Sequence, residues 1–206
     1  MSTTDPITTI TGNYFDKHQS RNPLVRVLVG GYRHTLQDLV ASLPVVTALE
    51  IGSGEGHLIE YIHAVRADLS WVGSDITYAM VEVGHRNVPG ALWSIHAGEA
   101  LPFRDASFDL VLACEVLEHV QQPVRVLQEM RRVCSRYCVV SVPWEPWWRV
   151  LNMARGKYLC AWGNTPGHLN HWSRSGILRQ VEAEFQIKQV RLTVPWVFVL
   201  AEKRRF

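Results

Sequence analysis

Two carboxylates and one imidazole lie close together in the middle of the chain, at Glu115, Glu118 and His119. They directly follow a mostly apolar run, 109–114, that is typical of a buried strand. If the chain is helical over 115–120, their i, i+3, i+4 spacing places all three side chains on one face. Such a group could bind a divalent cation, or His119 could act alone as a general base. In the structural alternative, the acid caps a helix and the histidine packs beneath a loop.

A glycine-rich turn is the second chemically informative feature. An apolar run, 45–51, has the pattern of a buried strand, and helical spacing begins at His57. The glycines between them are Gly52, Gly54 and Gly56. Glycine permits a tight bend and close approach of a ligand. The dinucleotide fingerprint G-x-G-x-x-G fails, because His57 occupies the position of its last glycine. Glu50 before the turn would repel a pyrophosphate and would suit a ligand with an ammonium group, such as S-adenosylmethionine (SAM).

An acidic residue at the end of the next predicted strand fits nucleoside binding. Asp75 lies about 20 residues beyond the glycines, where a carboxylate can hold ribose hydroxyls. Further along, the chain reads G-E-A-L-P-F at 98–103, S-F-D-L-V at 107–111 and E-V-L-E-H-V at 115–120. In this order the motifs resemble class I SAM-dependent methyltransferases of the type 11 kind, over about residues 45–142.

The resemblance implies SAM as the cofactor and a set of residues that contact it. These are Tyr14, Glu50, Gly52, Ser53, Gly54, Gly56, Asp75, Ile76, Met80, Gly98, Glu99, Ala100, Leu101, Cys114 and Glu115. One departure concerns adenine. Where the family usually has an acid, this chain has His96-Ala97-Gly98, so Gly98, Glu99 and Leu101 are expected to contact the base.

The E-x-x-E-H sequence of 115–119 also resembles the metal motif of ubiquinone-pathway O-methyltransferases and of small-RNA 2′-O-methyltransferases. The latter take a further ligand from a later histidine, four residues before a tryptophan, and His168 precedes Trp172 by that interval. The resemblance implies His119 or His168 as the base. It also implies an Mg²⁺ or Mn²⁺ site formed by Glu115, Glu118, His119 and His168. A metal would lower the pKa of an acceptor hydroxyl and orient its oxygen.

Alternating strand and helix patterns predict a parallel sheet. The expected fold class is α/β: a single domain with a doubly wound, mostly parallel seven-stranded sheet and an antiparallel C-terminal hairpin. Residues 1–44 are expected to form an N-terminal lid segment and helix, and 45–206 the SAM-binding core. The predicted helices are 23–43, 57–66, 77–86, 115–120, 123–134 and 173–184; the predicted strands are 45–51, 71–75, 92–96, 109–114, 136–142, 186–193 and 196–202.

A tryptophan-rich insertion, 144–172, follows the fifth predicted strand and holds five of the chain's eight tryptophans. Trp147 and Trp148, with Arg149 and Arg155 nearby, could face a large apolar acceptor or a membrane surface. The alternative is that they cover the sheet.

Composition limits the class of protein. At 206 residues and 47% hydrophobic, the chain can bury the core of one domain. A net charge of +2 argues against a general nucleic-acid binder. The sequence has no CxxC pair, no signal-peptide pattern and no apolar run of membrane-spanning length. We therefore expect a cytoplasmic protein, either free or in peripheral contact with a membrane.

These features predict a SAM-dependent methyltransferase that acts on a small, apolar or aromatic acceptor, with O-methylation favoured over N- or C-methylation. One alternative is a protein of this fold that catalyses a non-methylating reaction such as cyclisation, with SAM only structural. Another is a non-enzymatic ligand-binding or membrane-surface module.

Overall fold

A computed structural model describes residues 22–145, 147–148, 153 and 167–204. Within these ranges one seven-stranded sheet has the order β3-β2-β1-β4-β5-β7-β6. The strands are β1 (Thr47–Ile51), β2 (Ser70–Asp75), β3 (Leu92–Ile95), β4 (Phe108–Cys114), β5 (Cys134–Pro143), β6 (Phe185–Thr193) and β7 (Trp196–Lys203). The helices are α1 (Pro23–Ala41), α2 (His57–His63), α3 (Tyr78–Asn87), α4 (Pro123–Val133) and α5 (Arg174–Glu184).

The sheet has the predicted doubly wound form. Strands β1 to β5 pair in parallel, whereas β7 pairs antiparallel with both β5 and β6. The strand order reverses between β1 and β4, which lie side by side at the centre. In such sheets a ligand binds beyond the carboxyl ends of the strands at this reversal. The predicted fold class is therefore confirmed, and it locates the candidate site.

Helices cover both faces of the sheet. Neighbouring residues of β4 therefore pack into the two hydrophobic cores on opposite faces. Leu110 packs with Leu36 of α1 and Ile59 of α2, whereas Val111 packs with the group that includes Leu127 of α4. This alternation is the two-residue period of a strand buried on both faces. Within the described ranges, no helix combines the length and apolarity that a bilayer crossing needs.

The predicted helix over 115–120 is wrong, because this segment is an irregular turn. Glu115 adopts a φ of 56°, a left-handed conformation that does not continue an α-helix. Donors from a distant segment also occupy carbonyls that a helix would bond internally. Asn170 Nδ2 donates to the carbonyls of Leu117 at 2.9 Å and Val120 at 2.7 Å, and the amide of Leu169 donates to that of Glu118 at 2.7 Å.

Candidate active site

The turn after β1 brings a backbone amide to the carboxylate that ends β2. Gly54 N–H donates to Asp75 Oδ2 at 3.1 Å, and Thr77 N–H donates to Asp75 Oδ1 at 2.9 Å. Gly54 has a φ of 51°, and a Cβ added there would meet no atom within 4 Å. The turn is thus open at Gly54, where a ligand can approach the backbone.

The other two glycines of this turn are required by packing. A Cβ at Gly52 would lie 2.6 Å from Val116, and one at Gly56 would lie 3.0 Å from Trp93. Gly56 is buried, so its first role is to make room for the Trp93 ring. Contact between SAM and Gly52, Ser53 or Gly56 stays a prediction.

Glu50 is a buried carboxylate beneath the turn. It is 1% exposed, and its Oε2 has no hydrogen-bond partner among the described residues. Burial raises the pKa of Glu50 well above the ordinary value of 4.5, and the charge of Asp75 raises it further. Since an ionised carboxylate is costly to bury without donors, an ammonium group nearby would stabilise its charged form. Contact between Glu50 and the methionine end of SAM stays a prediction.

The loop between β3 and β4 is fixed by an ion pair on α4. Arg132 donates to Glu129 at 2.8 and 2.7 Å, and Leu101 N–H donates to Glu129 Oε2 at 2.9 Å. Arg132 also donates to the carbonyls of Leu101 and Phe103. The hydrogen bonds from Arg132 are the main reason that the pKa of Glu129 falls from 4.5 to about 2. Sequence analysis missed this pair, although opposite charges at i, i+3 on an amphipathic helix were a usable signal.

Other residues predicted to contact SAM lie in this loop, just after β2 or on α3. Gly98, Glu99 and Ala100 form a bend after β3, Ile76 is exposed just after Asp75, and Met80 is half-buried on α3. Both ring nitrogens of His96 are buried and lack hydrogen-bond partners within the described residues. Burial lowers the pKa of His96, which favours its neutral form where the family usually has an acid.

Glu115, Glu118, His119 and His168 were predicted to form one site, but the 115–120 turn directs Glu115 away from the other three. Glu115 accepts a hydrogen bond from Trp196 Nε1, whereas Glu118, His119 and His168 offer ligand atoms that all lie within 4.8 Å of one another. Within the described ranges, Glu115 is not part of this cluster. The predicted common helix face is therefore wrong, but the convergence of Glu118, His119 and His168 is observed.

Backbone contacts join His168 to the turn. The amides of Leu169 and Asn170 both donate to the carbonyl of Glu118, at 2.7 and 3.0 Å. His119 Nδ1 lies 3.0 Å from the carbonyl oxygen of Gly167, and the His119 and His168 ring centroids are 5.0 Å apart. Segment 167–170 is thereby held against the end of β4.

Glu145, just after β5, lies between two imidazoles. Its Oε1 is 3.5 Å from His168 Nδ1 and 3.1 Å from His171 Nδ1. Burial would raise the pKa of Glu145, but the two histidines outweigh burial and lower it below its usual value. Sequence analysis did not assign Glu145 or His171 to the site, since nothing in their spacing indicates this contact.

Cys114 has its side chain in the core on the α1 side of the sheet, and its contact with SAM stays a prediction. Burial, and next the charge of Glu50, raises the pKa of this thiol to about 12. Nearby, Tyr32 on α1 forms a buried hydrogen bond of 2.6 Å with Ser141, and burial raises the pKa of Tyr32 well above its usual value. Neither Cys114 nor Tyr32 therefore titrates readily near neutral pH.

The described tryptophans of the 144–172 insertion have different environments. Trp147 is 47% exposed, whereas Trp148 packs between the ring of His168 at 6.1 Å and that of Trp196 at 5.7 Å. Trp148 thus forms a wall beside the cluster, and Trp147 does not. The predictions for Tyr14, Arg149 and Arg155 lie outside the described residues.

Comparison with known proteins agrees with this geometry. Residues 49–140 match the family model described as a methyltransferase domain. Over this segment the chain is similar to methyltransferase domains. The matched segment runs from β1 into β5 and so contains the glycine turn, Asp75 and the 115–120 turn.

Individual proteins support the same assignment. The chain is 33% identical over 102 residues to the demethylmenaquinone methyltransferase of Renibacterium salmoninarum, covering 50% of this chain and 42% of that protein. The chain spans about half the length of the curated relatives it matches. The magnesium protoporphyrin IX methyltransferase of Synechocystis, solved with bound SAH, superposes with a TM-score of 0.68 at 17% identity, over 93% and 91% of the two chains.

The same fold also occurs in a protein whose name describes another reaction. The [4+2]-cyclase SpnF superposes with a TM-score of 0.67 at 13% identity, over 92% of this chain and 85% of SpnF. At such identities the likeness shows the fold alone. The reaction of the methyltransferase domain must therefore be argued from its own residues.

Proposed function

We propose that this chain is an enzyme that transfers the methyl group of SAM to an oxygen of a small, apolar or aromatic acceptor. The observation that carries the proposal is the Glu118–His119–His168 cluster, with its ligand atoms within 4.8 Å of one another. The cluster adjoins the predicted cofactor site, because Val116 of the same turn packs against Gly52. A base beside the donor is what transfer to a hydroxyl requires.

At the cofactor end of the site, the residues bind SAM and orient it. The Glu50 carboxylate accepts from the ammonium group, and Asp75 holds the ribose hydroxyls. Gly54, with open space at its Cβ position, admits the ligand to the backbone. The loop that Glu129 and Arg132 fix presents Gly98, Glu99 and Leu101 to adenine. When bound, SAM supplies an electrophilic methyl group that is transferred by in-line displacement.

At the acceptor end, the residues remove a proton and exclude water. His119 or His168 takes the hydroxyl proton, since a neutral imidazole has one nitrogen lone pair for this purpose. Trp148 and Trp196 pack edge to face beside His168 and form an aromatic wall. Aromatic rings favour apolar or aromatic ligands, which supports the class of acceptor that we propose.

A divalent metal fits the cluster in a form different from the one the sequence predicted. Glu118, His119 and His168 would hold it, whereas Glu115 is bound to Trp196. Two imidazoles and one carboxylate suit Mn²⁺ better than Mg²⁺, which prefers oxygen ligands alone. Such a metal would lower the pKa of the acceptor hydroxyl and orient it.

The proposal also includes a lid over SAM, the chemical class of the partner and a contact with a membrane. Tyr14 closes over SAM as part of an N-terminal lid, and the partner is a small, lipophilic molecule, with no nucleic acid. Exposed Trp147 is the candidate for contact with a membrane surface in a cytoplasmic protein.

The test is transfer of a labelled methyl group from SAM to phenolic and quinol-like acceptors, followed by mass measurement of the product. We expect one added methyl group on oxygen. Asp75→Ala should lose SAM binding and transfer together. A product changed in connectivity without added methyl would favour a cyclase, and SAM binding without any turnover would favour a binding module.

A further inference from the structure

Backbone hydrogen bonds hold Glu145 in place, with its carboxylate beside His168 of the active-site cluster. Its side chain is 11% exposed, and its own amide donates to the carbonyl of Trp172 at 3.2 Å. The preceding amide, that of Trp144, donates to the carbonyl of Pro195 at 2.7 Å. Because this stretch is anchored on both the 167–172 segment and the turn between β6 and β7, Glu145 has little freedom to move away from the histidines.

The His168 ring is fixed on several sides. Its side chain is only 4% exposed. The ring stacks on Trp148 with an interplanar angle of 27° and meets the ring of His119 nearly at a right angle, at 79°. Its Nδ1 lies 3.5 Å from Glu145 Oε1 and has no hydrogen-bond partner within the described residues, so the carboxylate acts on it as a nearby negative charge. With the ring fixed in position, its two neutral tautomers differ only in which nitrogen carries the hydrogen.

His119 is held by a similar contact on the same ring atom. Its Nδ1 faces the carbonyl oxygen of Gly167 at 3.0 Å. A carbonyl or carboxylate oxygen only accepts, so a neutral imidazole beside it places its hydrogen on Nδ1 and its lone pair on Nε2. Proteins commonly orient functional histidines by such a contact, and losing the acceptor typically weakens function by about 10–100-fold.

We propose that Glu145 is a positioning residue whose carboxylate, 3.5 Å from His168 Nδ1, holds His168 in the Nδ1–H form, with its lone pair on Nε2. The role of the lone pairs, as base or as ligand, rests on the proposed function. The tautomer of His168 itself does not, because a lone pair on Nδ1 would face the negative charge of Glu145 whereas an Nδ1–H is attracted to it.

His171 provides a matched control. Its Nδ1 contacts the same Glu145 oxygen at 3.1 Å, but its side chain is 43% exposed. Replacing it removes a neighbour of Glu145 while leaving the Glu145–His168 pair in place.

The experiment is long-range ¹H–¹⁵N NMR of the histidine rings in the full chain without acceptor. We expect His168 as the Nδ1–H form in the wild type, a shift toward Nε2–H in Glu145→Ala, and retention of Nδ1–H in Glu145→Gln, whose amide oxygen still accepts. His171→Gln should leave His168 unchanged. An Nε2–H form of His168 in the wild type would overturn the proposal even if Glu145→Ala did not fold, as would an unchanged His168 in a folded Glu145→Ala.

A second readout separates this role from general support of the fold. In methyl transfer, Glu145→Ala should lower kcat by about 10–100-fold, leave the Kd for SAH unchanged, and be largely rescued by Glu145→Gln. Equal loss in Glu145→Ala and Glu145→Gln would contradict positioning by an acceptor oxygen. Absence of methyl transfer in the wild type would defeat the proposed function but leave the NMR result standing.

Discussion

Trp196 donates its indole Nε1–H to the carboxylate of Glu115 and thereby ties the first residue after β4 to the start of β7. Glu115 needs such a partner, because its φ of 56° places it in a conformation that non-glycine residues seldom adopt. The same indole ring packs against Tyr32 at 4.9 Å and Trp148 at 5.7 Å. One residue therefore supports both the strained turn and the aromatic wall of the site.

Replacing Trp196 by Phe should destabilise the protein. The ring contacts can largely persist, but the hydrogen bond from Nε1 to the carboxylate is lost, and a hydrogen bond to a charged group is worth about 1.5–3 kcal/mol. Urea unfolding should show a loss of that size. Trp147→Phe is the control: this exposed indole should change the free energy of unfolding by less than about 0.5 kcal/mol. Equal effects of the two substitutions would contradict the role given to the Glu115 contact.

The affinity for SAH should fall on mild acidification. The pKa of Glu50 is raised by burial and by Asp75, so protonation removes its charge at a pH above the ordinary 4.5. A neutral carboxyl no longer attracts an ammonium group, hence binding weakens as pH falls through the raised pKa. Calorimetry from pH 8 downward measures this.

Two variants control that titration. Glu50→Gln should bind weakly at every pH and remove the dependence, whereas Glu60→Gln, which replaces an exposed carboxylate on α2, should retain it. A wild-type affinity that is constant down to pH 5 would show that Glu50 does not contact the ammonium group.

The contact between Gly54 and Asp75 was predictable from sequence because its signals are local. Gly54 lies in the turn after β1 and Asp75 ends β2, so order along the chain was sufficient to place them together. The role of Gly56 was not predictable in the same way. The group that requires a glycine there is Trp93, which comes from another strand and packs within 3.0 Å of a Cβ at that position.

The acceptor side was less predictable because distant segments shape it. The pattern of 115–120 suits a helix, but Asn170 and Leu169 bind its carbonyls and stabilise a turn instead. That turn directs Glu115 to Trp196, a residue 81 positions later in the chain. The contact between Glu145 and His168 could not be predicted for the same reason, since only the tertiary fold brings these residues together.

Stability should fall in acid partly through Glu129. Its pKa is lowered to about 2 in the folded protein, first by Arg132, against 4.5 ordinarily. A lowered folded pKa stabilises the native state above about pH 4.5, and that contribution is lost as pH falls toward 2. At roughly 1.36 kcal/mol per pH unit of difference, the loss is about 3 kcal/mol at most.

Urea midpoints measured from pH 6 to pH 2.5 test this contribution. Glu129→Gln should be less stable than the wild type at pH 6, and the difference should shrink in acid. Asp105→Asn is the control, since Asp105 contacts Arg132 from an exposed position and should cost little. A Glu129→Gln deficit that stays constant with pH would contradict the assignment.

Removal of divalent metal should stop methyl transfer without releasing SAM. The candidate ligands Glu118, His119 and His168 form a cluster that does not include Glu50 or Asp75, so EDTA should lower turnover and leave SAH affinity nearly unchanged. Mn²⁺ should restore activity better than Mg²⁺, because two of the three ligands are imidazoles.

Glu118→Ala should reproduce the effect of EDTA, and Mn²⁺ should not rescue it. Glu115→Gln should still respond to Mn²⁺, because its amide oxygen can accept from Trp196 and Glu115 lies outside the cluster. If transfer survives exhaustive chelation, the metal assignment is wrong, and His119 and His168 act as bases on the acceptor directly.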